Sequence, residues 1–272
     1  MGKREYSGCH ICGRVGKLSK DHVPPQKAFN DYKSYLYSGI KAISADQVPW
    51  DFTGLKGDQH QNGIGFYSLC RDCNSNTGGW YGRAFVDFIY KGYCATHNTH
   101  ETSGAWIKVP FHEVYPLRIA KQILTMFFSI NSALLAQVHP ELTALVLSKE
   151  KRGISTRDFG IYIYLLRGSI TRYIGIASLY STCGNQVRLV SELSAPPFGF
   201  VLEIKPKSVA GQCNIADFLN HYYYRDKTSI TLVMPILECN TWCPLDYRTK
   251  QQVLEAYLHS KRAMQSRNAG TI

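Results

Sequence analysis

The sequence predicts an α+β protein in which a small cysteine-rich module precedes a larger domain of helices and an antiparallel sheet. Three observations support this prediction. Two Cys-x-x-Cys pairs lie in the first 80 residues, which contain only short apolar pieces. Helical periodicity begins near residue 79 and returns between residues 113 and 136. After residue 158 the chain changes to β-branched and aromatic runs, and segregated helices and strands are typical of α+β folds.

The cysteine pairs come first in the chain. Cys9 and Cys12 form one Cys-x-x-Cys knuckle, and Cys70 and Cys73 form the second, each flanked by Gly or Asn. Two such knuckles supply the four thiolates of a tetrahedral structural Zn²⁺ site. The 57 residues between them exceed the gap of a compact zinc ribbon. Closing a loop of twice the length costs only about 0.6 kcal/mol more, so the gap indicates an insertion. Buried thiols without a metal, or a redox pair, are the alternatives.

A helix is predicted directly after the second knuckle. In "WYGRAFVDFIYKGY", the large apolar residues Trp80, Phe85, Phe88 and Ile89 fall on roughly one helical face. Asn76 or Thr77 suits the N-cap of this helix, because both side chains accept hydrogen bonds from free main-chain N–H groups.

The larger domain is predicted to begin with helices and to continue as a sheet. Residues 113–136 predict a long apolar helix, and Pro140 begins a second helix that ends near Ser148. A basic helix from Tyr247 to Met264 closes the pattern. The predicted strands are "FGIYIYLLRG", "ITRYIGIASLY", "QVRLVSEL", "FGFVLEIKP" and "TSITLVMPIL".

The composition indicates a folded, basic protein. Of the 272 residues, 44% are hydrophobic, which is enough for one sizeable core or for a small domain fused to a medium one. The chain has 31 Lys and Arg against 20 Asp and Glu, a formal net charge of +11. This charge favours an anionic partner, most simply nucleic acid. A basic protein without a polyanionic partner is the alternative.

The sequence favours a cytoplasmic protein with no membrane partner. No run reaches the roughly 18 apolar residues of a membrane helix. The opening residues "MGKREYSGCHIC" have the charges of a signal peptide but lack its apolar stretch. In a cytosolic chain, nine cysteines are more typical of metal ligands and buried thiols than of disulfides.

A zinc site would bring together the residues that follow each knuckle. Asp21 and His22 follow the first knuckle, and Asn74 directly follows the second. Carboxylate and carboxamide oxygens are hard ligands that suit Mg²⁺ or Mn²⁺. An imidazole can take a proton from a water that attacks phosphorus. Neighbouring side chains of a strand point to opposite sides, so Asp21 and His22 need a local distortion to serve one site.

The combined pattern resembles the HNH endonuclease family. The resemblance covers roughly residues 7–90 and consists of Cys-x-x-Cys, then Asp-His-x-x-Pro, then Leu-Cys-x-x-Cys-Asn entering a helix. It implies a ββα-metal core whose four cysteines bind a structural zinc. It further implies that His22 is the general base and that Asp21 and Asn74 hold a catalytic Mg²⁺ or Mn²⁺.

The chain departs from the family at one position. Many members carry an Asn five residues before the third cysteine, where it helps to orient the general base, whereas this chain has Gly65. Asn62 or His60 of the same loop could take over this role, and so could a main-chain carbonyl.

Several residues are candidates for contact with nucleic acid. Lys20 and Arg71 lie next to the expected site in sequence, and we expect them to contact phosphates. Surface solvation is the alternative for both. The run Tyr222 to Tyr224 could stack on bases, or it could lie half in the core and half on the surface.

The remaining cysteines and histidines predict no second metal site. Cys94, His97 and His100 complete no common four-ligand spacing. Cys239 and Cys243 are one residue too far apart for a knuckle, and we expect buried thiols at both positions.

The expected protein is therefore a metal-dependent HNH endonuclease acting on DNA, with a nuclease module at residues 1–95 and a second domain at residues 105–272. Family association suggests an effector of prokaryotic or phage-related antiviral defence. The second domain is expected to bind a target, a regulatory partner or a second copy of the chain. A zinc-stapled nucleic-acid-binding protein that never cuts is the alternative, and so is an HNH nuclease that acts on RNA.

Overall fold

The computed structural model describes residues 6–44, 46–181, 186–207 and 213–269, and it confirms the α+β class. The strands are β1 Tyr6–Gly8, β2 Val15–His22, β3 Ser34–Leu36, β4 Asp58–His60, β5 Gly65–Cys70, β6 Trp106–Val114, β7 Phe159–Gly168, β8 Tyr173–Ser181, β9 Gln186–Ala195, β10 Phe198–Ile204, β11 Cys213–Asn214 and β12 Thr228–Cys239. The helices are α1 Gly39–Ile43, α2 Arg71–Thr77, α3 Arg83–Thr96, α4 Pro116–Ile130, α5 Leu134–Val138, α6 Pro140–Val146, α7 Phe218–His221 and α8 Lys250–Ala269.

The N-terminal part is built on a small antiparallel sheet in the order β1-β2-β5. Strand β2 pairs with β5, and β5 runs directly into α2, so the three form a strand–strand–helix unit. The segment between β2 and β5 carries the β3–β4 pair and α1 as an insertion. The register of β2 against β5 shifts between Ser19 and Lys20. A bulge of this kind bends a strand and re-aims the side chains that follow it.

The helix after the second knuckle begins earlier than the capping pattern predicts. Its N-cap is Cys70, whose Sγ accepts a hydrogen bond from the main-chain N–H of Cys73 at 3.5 Å. The prediction of Asn76 or Thr77 as the N-cap was therefore wrong. The Cys70 sulfur, six residues before Asn76, accepts the hydrogen bond from a free main-chain N–H at the start of the helix. A π-helical turn at Gly78–Gly82 joins α2 to α3, and such turns often occur at functional sites.

The large sheet follows the order β6-β12-β7-β10-β9-β8, with β11 paired to β7. It is antiparallel as predicted except between β12 and β7, which run parallel. The five predicted strands correspond to β7, β8, β9, β10 and β12. Strand β6 was missed, because Pro110 and its polar residues hide the pattern and its last residues fell in the predicted 113–136 helix. Pairing with β12 holds this segment extended, and α4 starts at Pro116.

Helix α4 lies at the centre of the molecule. Nearly all its residues from Pro116 to Ser129 are buried, and it contacts β5, α3, α6, α7 and β8. The core continues from the small sheet to the large one through stacked rings: Phe88 of α3 lies 4.6 Å from Phe111 and 5.3 Å from Phe198 between ring centroids. The division into residues 1–95 and 105–272 stays a prediction, and the loop between α3 and β6 lies at the expected boundary.

The last two helical predictions differ from the structure only at their ends. Helix α6 ends at Val146, and the basic C-terminal helix α8 begins at Lys250.

Among the residues that the structure describes, no helix combines the length and apolar character needed to cross a membrane.

Candidate metal centre and candidate active site

The four knuckle cysteines meet at one point beside β2 and β5. A tight turn forms the first knuckle, in which the Gly13 N–H donates to the Cys9 carbonyl at 2.9 Å. Gly13 has a φ of 71°, a left-handed conformation that favours glycine. The Sγ atoms of the four cysteines all lie within 4.8 Å of one another. The distance between the Sγ atoms of Cys12 and Cys70 is 3.8 Å.

This arrangement can hold a metal ion. Thiolates that bind one tetrahedral zinc at about 2.3 Å lie about 3.8 Å apart, which agrees with the separation of Cys12 and Cys70. All four cysteines are free thiols. A hydrogen bond from Cys73 lowers the pKa of Cys9. This favours the thiolate form of Cys9, and the thiolate is the form that binds metals.

A cleft of about 810 Å³ brings the three predicted catalytic residues together. Asp21 and His22 at the end of β2 and Asn74 in the first turns of α2 all line it. The strand periodicity would send Asp21 and His22 to opposite faces. The bulge just before them and their position at the strand end give both access to the same cleft.

Asp21 is a buried carboxylate without a cationic partner. It accepts a hydrogen bond from the Ser129 hydroxyl of α4, and no Lys, Arg or His among the described residues forms an ion pair with it. Burial raises its pKa to about 6, and the hydrogen bond from Ser129 opposes this rise. Because a lone buried carboxylate is costly to ionise, a bound cation would stabilise its charged form.

His22 is oriented by the main chain. Burial lowers its pKa, and the positive charge of Lys20 lowers it further. The main-chain carbonyl of Asn62 accepts a hydrogen bond from the imidazole and opposes these effects. The Nε2 atom is buried and has no hydrogen-bond partner among the described residues. Burial favours the neutral form of the ring.

The geometry also explains why position 65 is a glycine. Gly65 pairs with His22 across the β2–β5 ladder. A Cβ at this position would lie 2.7 Å from the Asp21 carbonyl oxygen and 2.8 Å from Cε of Lys20. No side chain fits there. Of the three substitutes considered for the missing Asn, the main-chain carbonyl of Asn62 is the one that contacts His22.

Asn74 is held by two hydrogen bonds and is not a helix cap. Its Nδ2 donates to the Ser19 hydroxyl at 3.1 Å and to the Lys20 carbonyl at 3.0 Å. These hydrogen bonds join α2 to β2 and fix the orientation of the Asn74 side-chain amide. In the described part of the chain, nothing donates to Asn74 Oδ1, which leaves this oxygen available as a ligand.

Two site residues escaped the sequence prediction, and both lie on α4. Gln122 is 3% exposed and lines the cleft, and its buried Oε1 has no donor among the described residues. Ser129, two helical turns further on, contacts Asp21. In the sequence both lie within an apolar helix that resembles pure core. The signal that could have found them is their seven-residue spacing, which places two polar side chains on one face.

The predicted phosphate contacts and the remaining thiols have mixed outcomes. Lys20 lines the cleft and donates to the Gly63 carbonyl at 3.3 Å, whereas Arg71 is exposed and does not line it. Within the described residues, the cysteine cluster is the only group of three or more His, Cys, Asp or Glu side chains that could hold a metal. Cys239 is a buried thiol as predicted, but Cys243 is exposed because it lies in the loop after β12.

Comparisons of the chain with protein-family models, with curated proteins and with solved structures find no match of any kind. Function is therefore inferred from the residues of the cleft and the cysteine cluster.

Proposed function

We propose that this protein is a metal-dependent endonuclease of the HNH type that hydrolyses phosphodiester bonds of nucleic acid, with DNA as the expected substrate. One observation carries the proposal. A buried carboxylate, an imidazole with a free Nε2 and an amide oxygen without a donor line one cleft, at the junction of β2 with α2. The four-cysteine cluster lies on the same strand–strand–helix unit.

His22 is the proposed general base. Burial lowers the pKa of His22 and so favours the neutral imidazole, and Nε2 has no hydrogen-bond partner among the described residues. Nε2 is then free to accept a proton from a water that attacks phosphorus, which is the role that an imidazole of near-neutral pKa performs best.

Asp21 and Asn74 are the proposed holders of a catalytic Mg²⁺ or Mn²⁺. Both offer oxygen atoms, and the buried Asp21 carboxylate lacks any cation partner in the described chain, so the donor set fits a hard divalent ion. When bound, such an ion neutralises charge on the phosphate and stabilises the leaving oxygen. Ser129 fixes the Asp21 carboxylate in its place.

Zinc is the proposed ion of the cysteine cluster. Its role would be structural, because four thiolates would fill a tetrahedral site and leave no position for water or substrate. By joining the knuckle before β2 to the start of α2, it would keep the strand that carries His22 beside the helix that carries Asn74.

The test is a cleavage assay with zinc-loaded protein. Plasmid DNA and a labelled single-stranded RNA are incubated with added Mg²⁺ or Mn²⁺ and without either ion. We expect cleavage only with the added ion. His22→Ala should lower the rate by at least about a hundredfold, the scale of losing a general base, while zinc content and melting temperature stay unchanged.

The matched control is His259→Ala, which removes an exposed imidazole from α8 and should cut at the wild-type rate. Equal activity of His22→Ala and wild type would overturn the assignment of the base. Cleavage of RNA alone would change the substrate. Protein that binds nucleic acid and retains zinc, but cuts neither substrate with either ion, would replace the proposal by the non-catalytic alternative.

A further inference from the structure

A second hollow adjoins the cleft on its outer side. It has a volume of about 570 Å³, and we call it the basic groove. Its wall is formed by Trp80, Arg83, Tyr115 and Arg118, with Tyr224 packed against Arg118. Most of these residues lie outside the unit that carries Asp21, His22 and Asn74. Apart from the tyrosine run, the sequence pattern predicts no function for them.

The groove adjoins the cleft. Two exposed residues, Arg83 and Asp87, line both hollows. Helix α4 also connects them, because it directs Arg118 to the groove, Gln122 to the cleft and Ser129 to Asp21. These three residues are spaced by four and then seven positions, so they share one helical face. Arg118 and Gln122 lie about 6 Å apart along the helix axis.

Arg118 is held in place by aromatic rings and has no acidic partner. Its guanidinium lies 4.2 Å from the ring centroid of Tyr115 and 4.0 Å from that of Tyr224. Nε donates to the Tyr224 carbonyl at 2.7 Å. No carboxylate of the described chain forms an ion pair with it, and its terminal nitrogens are left without acceptors. A guanidinium fixed in this way is preorganised to bind a phosphate.

Lys149 extends the positive surface. Its ammonium group lies 5.4 Å from the ring centroid of Trp80 and 5.8 Å from that of Tyr224. Like Arg83, it forms no ion pair with any described carboxylate. Within the run Tyr222 to Tyr224, Tyr222 and Tyr224 pack against the core, whereas Tyr223 is exposed. Tyr224 also supports these cations. The tyrosine run is therefore half core and half surface, as one of the two sequence interpretations predicted.

The acidic groups around the groove do not cancel its charge. Asp87 pairs with Lys91 at 2.7 Å, and Glu113 pairs with Lys227 at 2.9 Å. Glu150 is an exposed carboxylate next to Lys149 in the sequence. Cations exceed carboxylates around the groove even when Glu150 is included. The cations are Arg83, Lys91, Arg118, Lys149 and Lys227, and the carboxylates are Asp87, Glu113 and Glu150.

We infer that the basic groove binds the phosphate backbone of the nucleic acid whose scissile bond lies in the cleft, an inference that rests on the proposed function. Cations without acidic partners, held by rings beside a phosphate-cleaving site, suit a polyanion that passes from one hollow to the next. The residues beyond the strand–strand–helix unit thereby contribute to substrate binding. Arg118, Lys149 and Arg83 set the position of the nucleic-acid strand.

The test is binding of a fluorescent DNA oligonucleotide, measured by anisotropy over a range of salt concentrations. The buffer contains no added Mg²⁺ or Mn²⁺, so zinc stays bound and cleavage does not interfere. The double variant Arg83→Ala, Lys149→Ala removes two exposed cations and should bind about tenfold more weakly or worse. The slope of log affinity against log salt should fall by about 0.9 for each phosphate contact that is lost.

Two further variants make the result decisive. Arg118→Gln should also weaken binding, and its melting temperature reports whether the loss of the stacked guanidinium disturbs the fold. Lys56→Ala is the control, because this exposed lysine lies in the loop before β4 and lines neither hollow.

If the double variant kept the wild-type affinity and salt slope, the basic groove would not be a binding site for the phosphate backbone, even if the wild type cuts DNA. Weakened binding in the variants together with no cleavage by the wild type would support the groove and overturn the nuclease. The two proposals therefore fail separately.

Discussion

The Ser129 hydroxyl donates a hydrogen bond to the Asp21 carboxylate across a sequence separation of 108 residues. Asp21 belongs to the strand–strand–helix unit, and Ser129 belongs to the helix at the centre of the larger core. The candidate site is therefore completed by both parts of the chain. Gln122 of the same helix also lines the cleft, so α4 contributes a second residue to it.

Ser129→Ala tests the contact itself. The substitution leaves a buried carboxylate without its donor, and an unsatisfied buried polar group costs about 1–3 kcal/mol. We expect the free energy of unfolding at neutral pH to fall by this amount, measured by denaturant titration. Ser132→Ala, two residues beyond the helix and exposed, is the control. Equal stability of both variants would show that Asp21 does not depend on Ser129.

Gln122→Leu separates function from stability. Its Oε1 is buried without a donor, so an apolar side chain of similar size should leave the melting temperature unchanged or raise it. If this oxygen serves the substrate or the catalytic ion, cleavage should fall by about tenfold or more. A variant that cuts at the wild-type rate would leave Gln122 with no role in the proposed reaction.

Cys70→Ser tests the proposed zinc site. Cys70 is at once a member of the cysteine cluster and the N-cap of α2, so we expect loss of bound zinc. Zinc binding stabilises small modules by on the order of 10 kcal/mol. Each kcal/mol of folding free energy that is lost lowers the melting temperature by about 2–4 °C, so a large fall is expected. Cys94→Ser removes an exposed thiol outside the cluster and should change neither value. Unchanged zinc content in Cys70→Ser would contradict the site.

Gly65→Ala tests the steric reason for a glycine at this position. The added methyl group would clash with the Asp21 main chain and with Lys20, and overpacking of this kind costs about 1–3 kcal/mol. Gly16→Ala lies in the neighbouring strand, where nothing lies within 4 Å of the new Cβ, and it should be tolerated. Denaturant titration of both variants provides the comparison, and equal stability would show that the β2–β5 pair can move apart.

Lys121 predicts a dependence of stability on pH. It is buried in α4, donates to the carbonyls of Ser148 and Lys149, and burial lowers its pKa to about 8. An unfolded lysine titrates near 10.4, so between about pH 8 and 10 the unfolded state binds more protons. The contribution of Lys121 to stability should therefore rise with pH over this range. Lys121→Met should lose this rise, which denaturant titrations at several pH values would detect; identical pH profiles would contradict the lowered pKa.

The fold could be predicted where local pattern decides structure. Strand β7 begins and ends at the predicted residues, because its β-branched and aromatic run is long and ends at Gly168. Strand β6 could not be found, since its extended form depends on pairing with β12, more than a hundred residues away. The start of α2 was misplaced for a similar reason, because a knuckle sulfur acts as its cap.

The sequence by itself determined the residue types and spacings of the site. Two Cys-x-x-Cys pairs, Asp21 beside His22, and Asn74 after the second pair can be read directly from neighbouring positions. The tertiary structure decided the rest. Asn62 contacts His22 through its main chain, so no side chain records this role, and Gly65 is explained only by the closeness of two strands. Gln122, Ser129 and Arg118 acquire their places from the packing of α4 between two sheets. Such contacts depend on three-dimensional neighbours, which local periodicity does not encode.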